Sequence, residues 1–138
     1  MKIAIINGPN LNLLGKREVD IYGGESFETY FQKLRSKYAS QEVLYFQSNI
    51  EGELIDAIQK FGFEYHGIII NPGGYTHTSV AIGDAIAAIK APVVEVHISN
   101  IFAREDFRKI SHVSGKAKGV ISGLGLMGYD LALEWLIK

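Results

Sequence analysis

The chain has 138 residues, 47% of them apolar and 21% charged, with a net charge of -1 and no cysteine. That length and composition fit a single domain over residues 1–138 with a core of its own. The missing cysteines exclude disulfides, thiolate nucleophiles and sulfur-ligated metals. The near-zero charge, without a lysine or arginine cluster, argues against nucleic acid or an anionic membrane as partner.

The first predicted element is a strand, Ile3 to Ile6. Its apolar run is far shorter than the core of a signal peptide, and no later stretch approaches the roughly 20 apolar residues of a membrane span. A cytoplasmic protein is expected. Similar short runs follow at Val43–Phe46, Ile68–Ile70, Val93–Val96 and Val120–Ile121. Runs apolar on both faces mark parallel strands covered on both sides.

Helices are predicted between these runs. Ser26 caps one reaching about Tyr38, with Phe27, Phe31, Leu34 and Tyr38 at helical spacing. Glu51 to Phe61 places Leu54, Ile55 and Ile58 on one face, with Gly62 as its stop. Ser79 to Ile89 is followed by Pro92. Leu126 to Ile137 closes the chain, with Leu131, Trp135 and Leu126 facing inward. The segment after Ile101 reads as a loop with a short helical piece. This alternation predicts an α/β fold, a doubly wound sheet of five parallel strands with helices on both faces. In such a sheet a ligand sits beyond the carboxyl ends of the strands.

Those ends carry unusual polar residues. The first strand runs into Asn7-Gly8-Pro9-Asn10-Leu11-Asn12. This is neither a Walker loop nor a dinucleotide fingerprint. Asparagine amides donate and accept, so they either stabilise a turn or hold a substrate oxygen or a water. Next, Gly15 and Gly23-Gly24 bracket a polar segment with the composition of a mobile lid, carrying Arg17 and Tyr22. A phenol titrates at about 10 in water, so a tyrosine base needs a guanidinium beside it. Arg17 or Arg108 could supply one; the structural alternative is a packed tyrosine and a solvated arginine.

The third strand ends in Asn71-Pro72-Gly73-Gly74-Tyr75-Thr76-His77-Thr78-Ser79. Pro-Gly-Gly makes a sharp turn, and His77 approaches the start of the next helix, where an anion is favoured. Helix capping accounts for one of Thr76, Thr78 or Ser79 but not for the histidine. The fourth strand, Val93-Val94-Glu95-Val96-His97, then Ile98-Ser99-Asn100, holds the sharpest local signal. Glu95 and His97 share one face of an otherwise apolar strand. Burying them costs several kcal/mol unless both are satisfied. A carboxylate behind an imidazole orients it and suits it to general-acid work. The alternative is an edge strand with one wet face. Arg104 and Arg108, four apart, either clamp a carboxylate or pair with Glu105 and Asp106. His66 reads as a strand-start residue and His112 as surface. No spacing suggests a metal site, and no lysine sits where an imine would form.

Taken together, Ile6-Asn7-Gly8-Pro9-Asn10-Leu11-Asn12-Leu13-Leu14-Gly15-x-Arg17, Tyr22-Gly23, Asn71 to Ser79, and Glu95 to Asn100 with Ala103-Arg104-Glu105 closely resemble the type II 3-dehydroquinases. The likeness covers essentially the whole chain, as several long motifs in one order. It implies a flavodoxin-like fold and a single catalytic domain. It also implies a dodecamer built as a tetramer of trimers, and cofactor-free dehydration of 3-dehydroquinate, a step of the shikimate pathway shared with quinate breakdown. By the family pattern Tyr22 is the base, activated by Arg17, and His97 is the acid, with Glu95 behind it. Asn10 holds the water that stabilises the enolate. Asn71, His77, Arg108, Ile98 and Ser99 bind substrate, and Asp84 reaches a neighbouring subunit's site. No metal or cofactor is implied. The rival readings are a non-catalytic flavodoxin-like binding module and a lyase for another small hydroxy acid. A phosphoacceptor receiver would need clustered aspartates where Asn7 and Asn10 stand, and a flavin protein would need a hydroxyl-rich phosphate loop.

Overall fold

In a computed structural model, residues 1–16, 20 and 24–138 are described. Five strands form one parallel sheet: β1 (Lys2–Asn7), β2 (Glu42–Gln47), β3 (Gly67–Asn71), β4 (Val93–His97) and β5 (Gly119–Ser122), in the order β2-β1-β3-β4-β5. Every predicted strand is present. The three inner strands β1, β3 and β4 are buried almost throughout, as their unbroken apolar runs require. β5 is an edge strand, and its Val120 is 41% exposed.

Among the described residues, four α-helices cover the two faces: α1 (Phe27–Lys37), α2 (Glu51–Glu64), α3 (Val80–Ala88) and α4 (Met127–Leu136). Phe27, Tyr30, Phe31 and Leu34 of α1 pack with Tyr129, Ala132, Leu133 and Leu136 of α4 on Ile3, Ile5, Ile69, Val94 and Val96. Leu54, Ile58 and Phe61 of α2 pack with Ile82, Ala85 and Ile86 of α3 on Ala4, Ile6, Ile68, Ile70 and Val93. Alternate residues of one strand therefore feed opposite layers. Each fully buried isoleucine contributes about 1.5–3 kcal/mol. Among the described residues, no helix is long and apolar enough to cross a membrane.

Two helix expectations are corrected. In α4 the inward face is Tyr129, Ala132, Leu133 and Leu136, whereas Leu131 is 39% and Trp135 53% exposed. Gly128 lets the helix approach Val96 and Ile121 closely, and that contact sets its rotation. Only Leu126 of the three expected residues packs on the core. In α2, Gly62 does not stop the helix, which runs on to Glu64. It is buried against Ile89, whose side chain occupies the space a Cβ would need. The caps behave as the sequence suggests: Ser26 accepts from the Thr29 amide at 3.2 Å and Ser79 from the Ile82 amide at 2.9 Å. The segment after Ile101 holds three short 3-10 turns, at Ile101–Ala103, Asp106–Lys109 and Ser114–Lys116.

The backs of the strand-end loops are tightly fitted. A Cβ on Gly83, in the middle of α3, would lie 2.3 Å from the carbonyl oxygen of His112. Gly83→Ala should therefore destabilise the fold by about 1–3 kcal/mol in urea unfolding. Gly52→Ala, where a Cβ meets nothing within 4 Å, should be neutral or slightly stabilising. Equal midpoints for the two variants would show that α3 does not press on the loop behind it.

Candidate active site

Each strand ends on a polar residue: Asn7, Gln47, Asn71, His97 and Ser122. Register pairs Asn7 with both Gln47 and Asn71, and His97 with Ser122, so these side chains form a row along one edge of the sheet. The strand order reverses between β1 and β3, and there a cavity of about 140 Å³ opens. Its walls come from three loops. The β1 loop supplies Pro9, Asn10, Leu11 and Leu14, and the β3 loop supplies Asn71, Gly73, Gly74 and His77. The β4 loop supplies His97, Ile98, Ser99, Ile101, Arg104 and Arg108.

Glu95 and His97 lie in an inner strand, so the edge-strand alternative fails. Glu95 is fully buried and His97 is 5% exposed. His97 Nε2 meets Glu95 Oε2 in a short contact. The rest of the carboxylate's surroundings assign the protons. Ser111 Oγ accepts from the amides of Val113 (3.0 Å) and Ser114 (2.9 Å). Its own hydrogen therefore goes to Thr76 Oγ1, 2.6 Å away. Thr76 in turn donates to Glu95 Oε2 at 2.6 Å, and Ser114 Oγ donates to Oε1 at 2.6 Å. Glu95 is thus ringed by donors, an arrangement that favours its ionised form. With Glu95 ionised, His97 donates to it from Nε2, which leaves Nδ1 to face a ligand.

Burial alone would raise the Glu95 pKa. The hydrogen bond and charge of His97, with the bonds from Ser114 and Thr76, outweigh burial and hold the carboxyl below its usual range.

His77 has the opposite character. Its Nδ1–H donates to the Ile110 carbonyl at 2.8 Å, so its Nε2 is an acceptor while the ring is neutral. Burial lowers its pKa, and the cationic Arg108 adds to the effect, against the Ile110 bond. Arg108 donates from Nε to Glu105 at 2.7 Å, with its guanidinium 5.0 Å from the Phe107 ring. Arg104 reaches Ser99 Oγ at 3.4 Å. The two arginines do not share one helical turn, yet both reach the cavity. The two guanidiniums suit it to an anionic ligand. Among the described residues, no three His, Asp or Glu side chains gather where a metal ion could sit.

Asn10 holds a left-handed backbone, φ 71°, at the cavity mouth. Asparagine tolerates this conformation better than most residues. Its amide donates to Asn49 Oδ1 at 2.9 Å, and Gln47 Nε2 braces the same loop through the Gly8 carbonyl and Asn49 Oδ1, both at 3.2 Å.

The cavity thus gathers Asn10, Asn71, His77, His97, Ile98, Ser99 and Arg108, with Glu95 behind His97. Asp84 is exposed on α3 and does not line it. Arg17 and Tyr22 lie outside the described residues. Sequence reading passed over Thr76 as more than a cap, and it missed Ser111, Ser114, Asn49 and Gln47. Only Gln47 and Asn49 had a signal, as polar residues at the carboxyl end of a strand.

The Glu95 environment predicts a pH dependence. Its folded pKa lies below the unfolded value of about 4.3. Its carboxylate therefore contributes stability that is fully present above that pH and is lost as pH falls through the folded value. Urea unfolding from pH 7 down to pH 2 should show this acid loss in the wild type, and it should be smaller in Glu95→Gln. Parallel curves for the two proteins would show that Glu95 is not held ionised.

The family model for dehydroquinase class II matches residues 1–137. A 3-dehydroquinate dehydratase of Fusobacterium nucleatum is 52% identical over 143 residues, covering 100% of this chain and 97% of that protein. A 3-dehydroquinate dehydratase of an Exiguobacterium species is 52% identical over 139 residues, covering 100% and 95%. The crystal structure of a type II dehydroquinase from Butyrivibrio crossotus superposes with a TM-score of 0.96 at 48% identity, covering 100% of this chain and 98% of that one. With that sheet order and these loops at its carboxyl edge, the chain belongs to the class II dehydroquinase family.

Proposed function

We propose that the chain is a 3-dehydroquinate dehydratase, a hydro-lyase that converts 3-dehydroquinate to 3-dehydroshikimate in the shikimate pathway. Elimination beside a ketone needs a base for the proton alpha to the carbonyl, donors for the enolate, and an acid for the departing hydroxyl. The single observation that carries the reading is the donor-ringed Glu95 beneath His97, at the wall of a cavity with two arginines. An ionised, immobile carboxylate that accepts from the His97 Nε2–H fixes the ring and aims its Nδ1 into the cavity, where the leaving hydroxyl would lie.

In this reading Tyr22 takes the alpha proton, with Arg17 favouring its phenolate, and the electron pair moves onto the ketone oxygen. Asn10 holds the water that meets the enolate. The enolate then collapses, expelling the hydroxyl as water with a proton from His97. One proton has passed to the phenolate and one has left the imidazolium, so a proton transfer between the two restores the enzyme. Asn71 and the neutral His77 orient the ring hydroxyls; Arg108 and the backbone at Ile98 and Ser99 hold the carboxylate. Each role falls to a side chain or the backbone, and no step calls for a cofactor.

Residues 1–138 act as one catalytic domain, supported by the single sheet and by the extent of the family match. Assembly as a dodecamer, a tetramer of trimers, is supported by exposed Val80, Phe102, Phe107 and Ile110 on α3 and the β4 loop. Asp84, exposed on α3, is then free to approach a neighbour's site. A cytoplasmic location accords with the pathway. The binding-module alternative has no observation in its favour.

The decisive assay mixes purified protein with 3-dehydroquinate and follows absorbance of the conjugated enone. Folded wild-type protein should turn over without added metal or cofactor; no signal rejects the function. Tyr22→Phe and His97→Ala should each lose on the order of a hundred-fold or more in kcat. Near-normal turnover by either removes that residue from its role. Sedimentation should give a twelve-subunit particle, and a monomer would reject the assembly.

A further inference from the structure

Beneath the cavity floor lies a polar group that the acid–base chemistry does not use. Tyr129, near the start of α4, is fully buried among aromatic rings, with Phe27 at 5.0 Å and Tyr30 at 6.0 Å between centroids. A phenylalanine would satisfy that packing. The hydroxyl instead sits between the asparagines that end two neighbouring strands, Asn7 of β1 and Asn71 of β3, which are register partners.

The directions of these hydrogen bonds are determined. Asn71 Oδ1 accepts from the Gly73 amide at 3.1 Å, which settles which end of the side-chain amide is oxygen. Its Nδ2 therefore points to Tyr129 and donates to the hydroxyl at 3.1 Å. The hydroxyl has one hydrogen and donates it to Asn7 Oδ1 at 2.8 Å. The chain of bonds runs one way, from Asn71 through Tyr129 to Asn7. Burial pushes the Tyr129 phenol well above its usual range, so it stays protonated wherever the protein is folded. Asn71 is 4% exposed and lines the cavity. With one Nδ2 hydrogen committed to Tyr129 and Oδ1 turned toward the Gly73 amide, its other Nδ2 hydrogen is left to donate to a ligand.

We propose that Tyr129 is a positioning residue: its buried hydroxyl clamps the Asn71 amide so that Asn71 meets the substrate as a hydrogen-bond donor to one ring oxygen. This rests on the reading that the cavity binds 3-dehydroquinate through Asn71. Asn7, one bond further back, accepts the hydrogen bond from the phenol and keeps the hydroxyl from turning to donate toward Asn71.

Tyr129→Phe tests this, because it deletes one oxygen and keeps the ring. The variant should fold, with near-wild-type kcat and a KM for 3-dehydroquinate raised on the order of tenfold, the scale of one lost hydrogen bond. A purely structural role would lower the active fraction, and hence kcat, and leave KM unmoved; that pattern overturns the proposal. In an Asn71→Ala background, Tyr129→Phe should add no further rise in KM, and additive effects would also overturn it. Asn7→Ala gives an independent arm should Tyr129→Phe fail to fold. It frees the phenol proton and should raise KM in the same direction, whereas an unchanged KM refutes the clamp. Wild-type turnover is measured first: its absence refutes the function, whereas its presence with a normal KM in Tyr129→Phe refutes only this inference.

Discussion

A carboxylate with no access to water lies at the centre of this fold. Glu95 sits in an inner strand between β3 and β5. A lone charge there would cost several kcal/mol, and removing a partner from such a pair typically costs about 3–5 kcal/mol. The charge is held because donors converge on it from separate parts of the chain. Thr76 comes from the turn after β3, Ser114 from the 3-10 turn before β5, and His97 from the end of its own strand. Ser111 acts one bond behind, turning the Thr76 hydroxyl toward the carboxylate. Loops that must satisfy a buried ion cannot wander, so the charge that serves the chemistry also fixes the walls of the cavity.

A second polar element stands beside it. Asn7, Tyr129 and Asn71 form a directional chain under the floor, fed from the last helix. The Gln47–Asn49 brace holds Asn10 in its left-handed conformation from the far side of β1. Side chains facing the ligand are therefore backed by others that do not touch it. Such backing preorganises a site: the donors are aimed before substrate arrives, and little reorganisation opposes the reaction. The apolar layers make this possible by burying alternate strand residues on both faces and leaving only the carboxyl edge polar.

Much of this was legible in the chain. All five strands stood out as apolar runs, and the Ser26 cap could be read from its position, while Ser79 was one of three candidates for the cap of α3. Glu95 and His97 announced themselves as charge inside a valine strand. Helix phase was less secure. In α4, Leu131 and Trp135 are as apolar as the residues that are buried, and hydropathy cannot choose between two faces of similar character. Gly62 looked like a stop because a glycine's use as a close-contact point depends on a neighbour, here Ile89, far away in the chain. Serines 111 and 114 carried no local signal, since a hydroxyl in a loop is ordinary until a buried carboxylate is known to lie opposite it.

By itself the sequence determined the order of strands and helices, the parallel character of the sheet and the residue types at each strand end. Those follow from periodicity, β-branching and the abrupt change from apolar to polar at each carboxyl terminus. Tertiary structure decided which of those ends become neighbours. Hydrogen-bond direction is a property of pairs, and Thr76 with Glu95 or Tyr129 with Asn71 are pairs only after the sheet has assembled. The proton on His97 Nε2, the acceptor nitrogen of His77 and the aim of the Asn71 amide are therefore set by distance and geometry, which no one-dimensional pattern contains.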